Sequence, residues 1–91
     1  MSYDEFERSH RARMLLFARW AKRWPLRVPA RWGMHHTQIA EMQEWLDANC
    51  TAEWSGRMEH TDEAEYLQRR RRPVVGFKDP DDAFSFKMRW A

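Results

Sequence analysis

Four consecutive arginines, Arg69, Arg70, Arg71 and Arg72, are the densest run of one chemistry in the chain. A guanidinium offers a planar fork of donors that matches phosphate and carboxylate, so such a run suits an anionic partner. Lys78, Lys87 and Arg89 extend it, and Arg8, Arg11, Arg19 and Lys22 form a second basic group near the start. Each phosphate neutralised by these groups releases a counterion, which makes nucleic-acid binding steeply salt-dependent. Trp20, Trp24 and Trp32 lie among the basic residues, and an exposed indole there can stack on a base or anchor a protein interface. The competing reading spends the same arginines on pairs with Glu53, Glu59, Glu63 and Glu65 inside the fold.

Other constellations are thinner. His35-His36 invites a metal site with Glu41 or His60, yet adjacent histidines point apart and no His-x-x-x-His or cysteine pair completes it. A helix entry with one ring packed and one solvated explains the pair better than a metal site does. Cys50 is the single cysteine, so no disulfide closes within the chain, and no nucleophile motif surrounds it. His60-Thr61-Asp62-Glu63 and Asp79, Asp81, Asp82 supply the carboxylates that acid–base or Mg²⁺-dependent chemistry needs. The second group doubles as a helix start, and three scattered glycines make no phosphate loop. The expectation is a non-enzymatic protein with no catalytic residue, metal or cofactor.

These groups need a scaffold, and 91 residues suffice for one domain. Leu, Ile, Val and Phe fill only 14 positions, so six Trp and six Met must supply the core bulk. Charge is nearly balanced, with Lys+Arg 16 and Asp+Glu 14, but it is segregated along the chain. Residues 1–33 carry a net +5, residues 34–67 a net −7 and residues 68–91 a net +4. The acidic third offers Glu41, Glu44, Asp47, Glu53 and Glu59 as a face for basic groups. No apolar run approaches a membrane span and no secretory leader follows Met1, so a soluble cytoplasmic domain with no membrane partner is expected.

Residues 4–24 read as a basic amphipathic helix. Phe6, His10, Met14, Phe17, Ala21 and Trp24 share one stripe, and Arg8, Arg11, Leu15, Arg19 and Lys22 the opposite one. Ser2 caps its start, Asp4 and Glu5 suit its first turn, Arg13 falls beside the apolar stripe and Pro25 ends it. Residues 25–33 alternate in an extended segment that Pro29 confines to a sheet edge. A helix follows over 37–49 with Thr37 as N-cap. Residues 51–60 alternate as a half-buried strand, with Ala52, Trp54, Gly56 and Met58 on one side. A polar connection lets Glu65 pair with Arg69, and Val74–Phe77 forms a short strand. Asp79 then caps a helix begun by Pro80, with Ala83, Phe84 and Phe86 inward. Residues 87–90 either finish that helix or add a fourth edge strand.

The order strand–helix–strand–strand–helix is that of a ferredoxin-like split β–α–β unit, so an α+β fold is expected: a small antiparallel sheet covered by helices. Residues 1–24 are the added helix and 25–91 the core of one domain.

Two resemblances attach to the second half. Val75-Gly76-Phe77-Lys78-Asp79-Pro80-Asp81-Asp82-Ala83 resembles the third-strand-to-second-helix junction of RNA-recognition motif domains. That likeness implies the topology; the family's stacking aromatics would fall on Arg72 and Val74, and a Gly or Ala position is Pro73. Phe77-x-Asp79-Pro80-x-Asp82-Ala83-x-x-Phe86-Lys87-Met88-Arg89-Trp90, with Trp45-Leu46 and Trp54 before it, is similar to small uncharacterised proteins of tailed bacteriophages over residues 38–91. It implies a phage or prophage origin and, for such small proteins, a host target.

The functional expectation is a binding protein that docks on a host protein or protein–nucleic acid complex and modulates or inhibits it. Arg8, Arg11, Arg19, Lys22, Trp20, Trp24, Trp32 and Arg69–Arg72 are its candidate surface. The alternative is a nucleic-acid-binding protein using the basic thirds. Monomer and homo-oligomer both remain open.

Overall fold

The computed structural model describes residues 15–60 and 63–91. The expected cap at Ser2, the acids Asp4 and Glu5, and Phe6, Arg8, His10, Arg11, Arg13 and Met14 lie outside them, as do Thr61 and Asp62. Helix α1 (15–23) leads to strand β1 (Leu26–Pro29), helix α2 (His36–Asn49) and strand β2 (Trp54–Glu59). A short helix α3 (Glu63–Leu67), strand β3 (Arg72–Phe77) and helix α4 (Pro80–Trp90) complete the chain.

The sheet order is β1–β3–β2 with both pairings antiparallel. β3 is thus inserted between the two strands that α2 connects, the arrangement of a split β–α–β unit. This is a small α+β fold, and β1 lies at an edge, where the missing N–H of Pro29 is tolerated. Among the described residues there is no fourth strand. Ala83, Phe86 and Trp90 follow three-and-four spacing, so α4 continues through residues 87–90.

One sheet face receives α2 and α4. Val75 and Phe77 from β3 meet Met42 and Leu46 of α2, Phe86 and Trp90 of α4, and Ala30, all buried. The rings interlock, with Phe77 and Phe86 centroids 5.3 Å apart and Trp45 within 6.4 Å of Phe86 and Trp90. Phe84, expected inward, is instead 65% exposed, because the seam through Ala83, Phe86 and Trp90 turns position 84 to solvent.

The opposite face is also covered. Alternation puts Gly76, Ser55 and Arg57 on that side, and α1 lies across them. Trp20 Nε1 donates to Ser55 Oγ at 3.0 Å, and Arg57 reaches the Leu16 carbonyl while its guanidinium lies 5.8 Å from the Trp20 ring. Trp24 sits on Gly76, where an added Cβ would fall 2.5 Å from Trp24 Cβ. Consequently Ser55, Arg57 and Glu59, read as solvent-facing, are half-buried, and Met58 is 45% exposed. The described part of α1 keeps its expected stripes: Trp24 is buried, Phe17 and Ala21 half-buried, and Leu15, Arg19 and Lys22 exposed. Its last carbonyls are capped by cations. Arg27 Nη1 donates to Ala21 O and Trp24 O, and Lys78 Nζ to Arg23 O.

One helix cap differs from expectation and one matches it. His35, not Thr37, precedes α2, and its backbone N–H donates to Gln38 Oε1 at 2.9 Å. Both His35 and His36 are exposed, so neither ring is packed. At α4 the expected cap stands, with Asp81 N donating to Asp79 Oδ1 at 2.9 Å. Among the described residues no helix is long and apolar enough to cross a membrane.

Candidate functional site

The arginine run does not act as one block. Arg69 has φ +55°, a left-handed turn that ends α3 and sends the chain into β3. Its neighbours are held by the same turn, with Arg69 N donating to Tyr66 O and Arg70 N to Glu65 O. Beyond it, Arg70 and Arg72 converge on Trp32, their guanidinium carbons 4.7 and 4.8 Å from the ring centroid. Such contacts are each worth about 0.5–1 kcal/mol at exposed sites.

Arg72 is the structural member of the group. It is half-buried, its Nη2 lies 3.4 Å from Oε1 of buried Glu65, and its Nη1 reaches the Ala30 carbonyl at 3.5 Å. The expected Glu65–Arg69 pair is therefore replaced, because the turn at Arg69 carries that side chain away while β3 returns Arg72 beneath α3. Arg71 is aimed by His60. The ring Nδ1 faces the Arg70 carbonyl, which can only accept, so that nitrogen carries the proton and Nε2 accepts from Arg71 Nε at 3.5 Å. Tyr66 packs edge-on against the same imidazole, 5.5 Å between centroids.

Around Trp32 these residues enclose a cleft of about 240 Å³ at the end of the sheet where β3 begins. Its apolar floor comes from Met34, Ile39, Met58 and Pro73, and its cationic rim from Arg31, Arg70, Arg71 and Arg72. Arg31 is fixed by its backbone, whose N–H donates to Trp90 O at 2.8 Å, and its guanidinium lies 5.5 Å from the Trp90 ring. Among the described residues Arg31, Arg70 and Arg71 have no carboxylate partner; the described ion pairs are Arg57–Glu59 and Arg72–Glu65. Three exposed guanidiniums sharing one cleft repel one another, and an anion placed among them relieves that repulsion.

Trp32 is half-buried and Trp24 buried, its ring covered by Lys78 Nζ at 4.5 Å. Trp20 is half-buried under Arg57, and Arg19 and Lys22 project from the far side of α1. Of the candidate surface, then, Trp32 and Arg70–Arg72 form one site. Arg69, Arg19, Lys22, Trp20 and Trp24 do not line it, and Arg8 and Arg11 lie outside the described residues. Arg31 was missed; its strand alternation with Trp32 placed it on the other side, but the turn at residues 32–33 brings both to one rim. Gly33, with φ +76°, makes that turn possible.

Among the described residues no three His, Cys, Asp or Glu side chains gather as a metal site. Cys50 sits half-buried at the end of α2, where burial and the nearby carboxylates of Asp82, Asp47 and Asp79 push its thiol up to about 11. At pH 8 its thiolate fraction is then on the order of 0.1%, against about a quarter for a free thiol near 8.5. Iodoacetamide should therefore label the folded chain roughly 100-fold more slowly than the urea-unfolded chain. The folded rate should climb tenfold per pH unit up to about pH 11. Equal labelling of both states at pH 8, followed by mass spectrometry, would refute the shielding.

No protein-family model, no curated protein and no solved structure matches the chain, so the cleft's chemistry stands on its own residues.

Proposed function

We propose that this chain is a non-enzymatic binding protein that docks its arginine–tryptophan cleft on an anionic group of a larger host partner and modulates or inhibits it. The carrying observation is the set of uncompensated guanidiniums of Arg31, Arg70 and Arg71 around Trp32, above an apolar floor. Arginine and tryptophan are the residue types that most often dominate interface energetics, above all where an apolar surround excludes water. The likeness of residues 38–91 to small tailed-phage proteins supports a bacterial protein, alone or with nucleic acid, as the host target.

A protein surface suits the cleft better than bare nucleic acid. The sheet face on which RNA-recognition motif domains stack bases is here sealed by Trp20 and Trp24 of α1. Trp32 already carries guanidiniums against its ring, which leaves it as an arginine-positioning wall and not as a base platform. The test is titration with a Glu/Asp-rich peptide, a phosphorylated peptide, and generic duplex DNA and RNA across a salt series. Peptide binding at low salt should weaken at least tenfold in Arg70→Ser/Arg71→Ser, while generic nucleic acid binds more weakly than peptide. Tighter, salt-steep binding to generic RNA or DNA would establish the nucleic-acid alternative, and no anion binding by the intact chain would overturn both.

A further inference from the structure

The sheet has a second end, and the cleft there is lined by acids instead of arginines. Register separates the two: Arg72 pairs with Glu59 at one end, and Phe77 pairs with Trp54 and Leu26 at the other. Five residue steps at about 3.4 Å put these ends roughly 17 Å apart. At the Phe77 end an open cleft of about 540 Å³ is walled by Trp24, Trp54 and Leu46, with the exposed acids Asp47 and Glu53 on its rim.

Three features make this cleft a place for a positive charge. The first is α2, whose C-terminal end closes on it. Helix C-termini carry partial negative charge that a lysine or arginine usually offsets, but the last turn of α2 holds no basic residue and does hold Asp47. The second is the company Asp47 keeps there: burial first, and then the carboxylates of Asp82, Asp47 and Asp79, push up the thiol of Cys50 on the same wall. The third is Trp54. This fold places a lysine or arginine against the rings of Trp20, Trp24, Trp32 and Trp90, whereas among the described residues Trp45 and Trp54 have no such cation, and of these two Trp54 lines the cleft.

We propose that this cleft receives a lysine or arginine side chain from a basic segment of a protein partner, its aliphatic stem against the half-buried Trp54 and its charge toward Asp47 and Glu53. Charge complementarity selects this occupant, since an apolar or acidic segment would leave both carboxylates and the helix end unanswered. The site is independent of the arginine cleft, and the two cleft linings carry opposite signs.

The test follows the indole N–H signals of the full-length chain during titration with acetyl-Ala-Arg-Ala-amide, and with the same peptide carrying uncharged citrulline in place of arginine. The arginine peptide should shift the Trp54 and Trp24 signals and leave Trp32 unmoved. Asp47→Asn/Glu53→Gln should weaken that response at least tenfold without changing the thermal melt, and Arg70→Ser/Arg71→Ser should leave it intact. Equal shifts from the citrulline peptide, equal binding by the carboxylate variant, or no shift at all would overturn the assignment. Trp54 shifts that grow with protein concentration alone would also overturn it, by making a second copy of the chain the occupant.

Discussion

Gly76→Ala should destabilise the fold by about 2 kcal/mol, although alanine ordinarily suits a strand better than glycine. The added methyl falls 2.5 Å from Trp24 Cβ and 2.9 Å from Trp24 Cγ, well inside contact distance. Trp24 Cβ is backbone-adjacent and follows directly on α1, whose end is pinned by Arg27, Lys78 and Trp20, so it cannot step aside as the tip of a flexible side chain would. Gly76 does not have the left-handed φ of Gly33, so the cost comes from crowding and not from backbone conformation. Either the sheet and α1 absorb the overlap, or α1 lifts and uncovers Trp20, Trp24 and Val74. The double-mutant cycle separates steric contact from any other cause. Trp24→Gly, which removes both the Cβ and the ring, is expensive alone, at about 3 kcal/mol or more for a buried aromatic, yet in its background Gly76→Ala should cost close to nothing. Urea melts of the four proteins measure the coupling, and a Gly76→Ala chain as stable as the parent would remove the close packing from consideration.

That contact also marks where sequence reading ran short. The stripes of α1, the alternation of β1 and β2, and the Asp79-Pro80 start of α4 are local patterns, visible because helix and strand periods repeat within a few residues. The β1–β3–β2 order was legible for the same reason, since the sequence of element types narrows the topologies available to a small sheet. Docking of α1 on the second sheet face was not legible. Its signal is a notch made by Gly76 and Ser55, paired residues in two strands 21 positions apart, and a notch has no periodicity. The same limit applies to the cleft. Arg70, Arg72 and Trp32 each stood out by type, but their convergence depends on a left-handed turn at Arg69 that nothing in Gln68-Arg69-Arg70 announces, since arginine rarely adopts it. Phe84 misled because it follows Ala83 directly, and one residue is 100° of helix, enough to move a ring from seam to solvent.

Covering both sheet faces has a functional consequence. With α1 on one side and α2 and α4 on the other, two open grooves among the described residues lie at the ends of the sheet, where strands give way to turns. The arginine cleft sits where β3 begins and the indole–carboxylate cleft where it finishes; Glu59 and Glu65 lie at the first end and Arg27 and Lys78 at the second, so the opposition of sign belongs to the two clefts and not to the whole ends. Two clefts of opposite sign on one sheet would fix orientation on a partner more than they would add affinity.

The joint that holds this geometry is Asp82, and Asp82→Ala should cost about 2–3 kcal/mol, a large share of the roughly 5–13 kcal/mol expected of a domain this size. Asp82 is buried in the first turn of α4, and its carboxylate accepts from Thr51 N at 3.1 and 3.0 Å and Ala52 N at 3.1 Å, with Thr51 Oγ1 3.2 Å away. Asp79 accepts from the same hydroxyl at 2.9 Å while capping the helix. Two carboxylates at the positive end of α4 thereby seize the segment that leaves α2 and enters β2, tying three elements at one point. Alanine deletes the acceptor for two backbone donors, and solvent recovers only part of the loss because Thr51 and Ala52 are exposed while Asp82 is not. Asp82→Asn keeps one acceptor oxygen and the shape but loses the charge that strengthens the bonds, so its cost should fall between those of parent and alanine. Amide exchange gives the local signature: the Thr51 and Ala52 protons should lose protection before the Val75 and Phe77 protons of the central strand. Uniform loss across the whole sheet, or none at Thr51, would mean that the carboxylate is not the tie between α4 and β2.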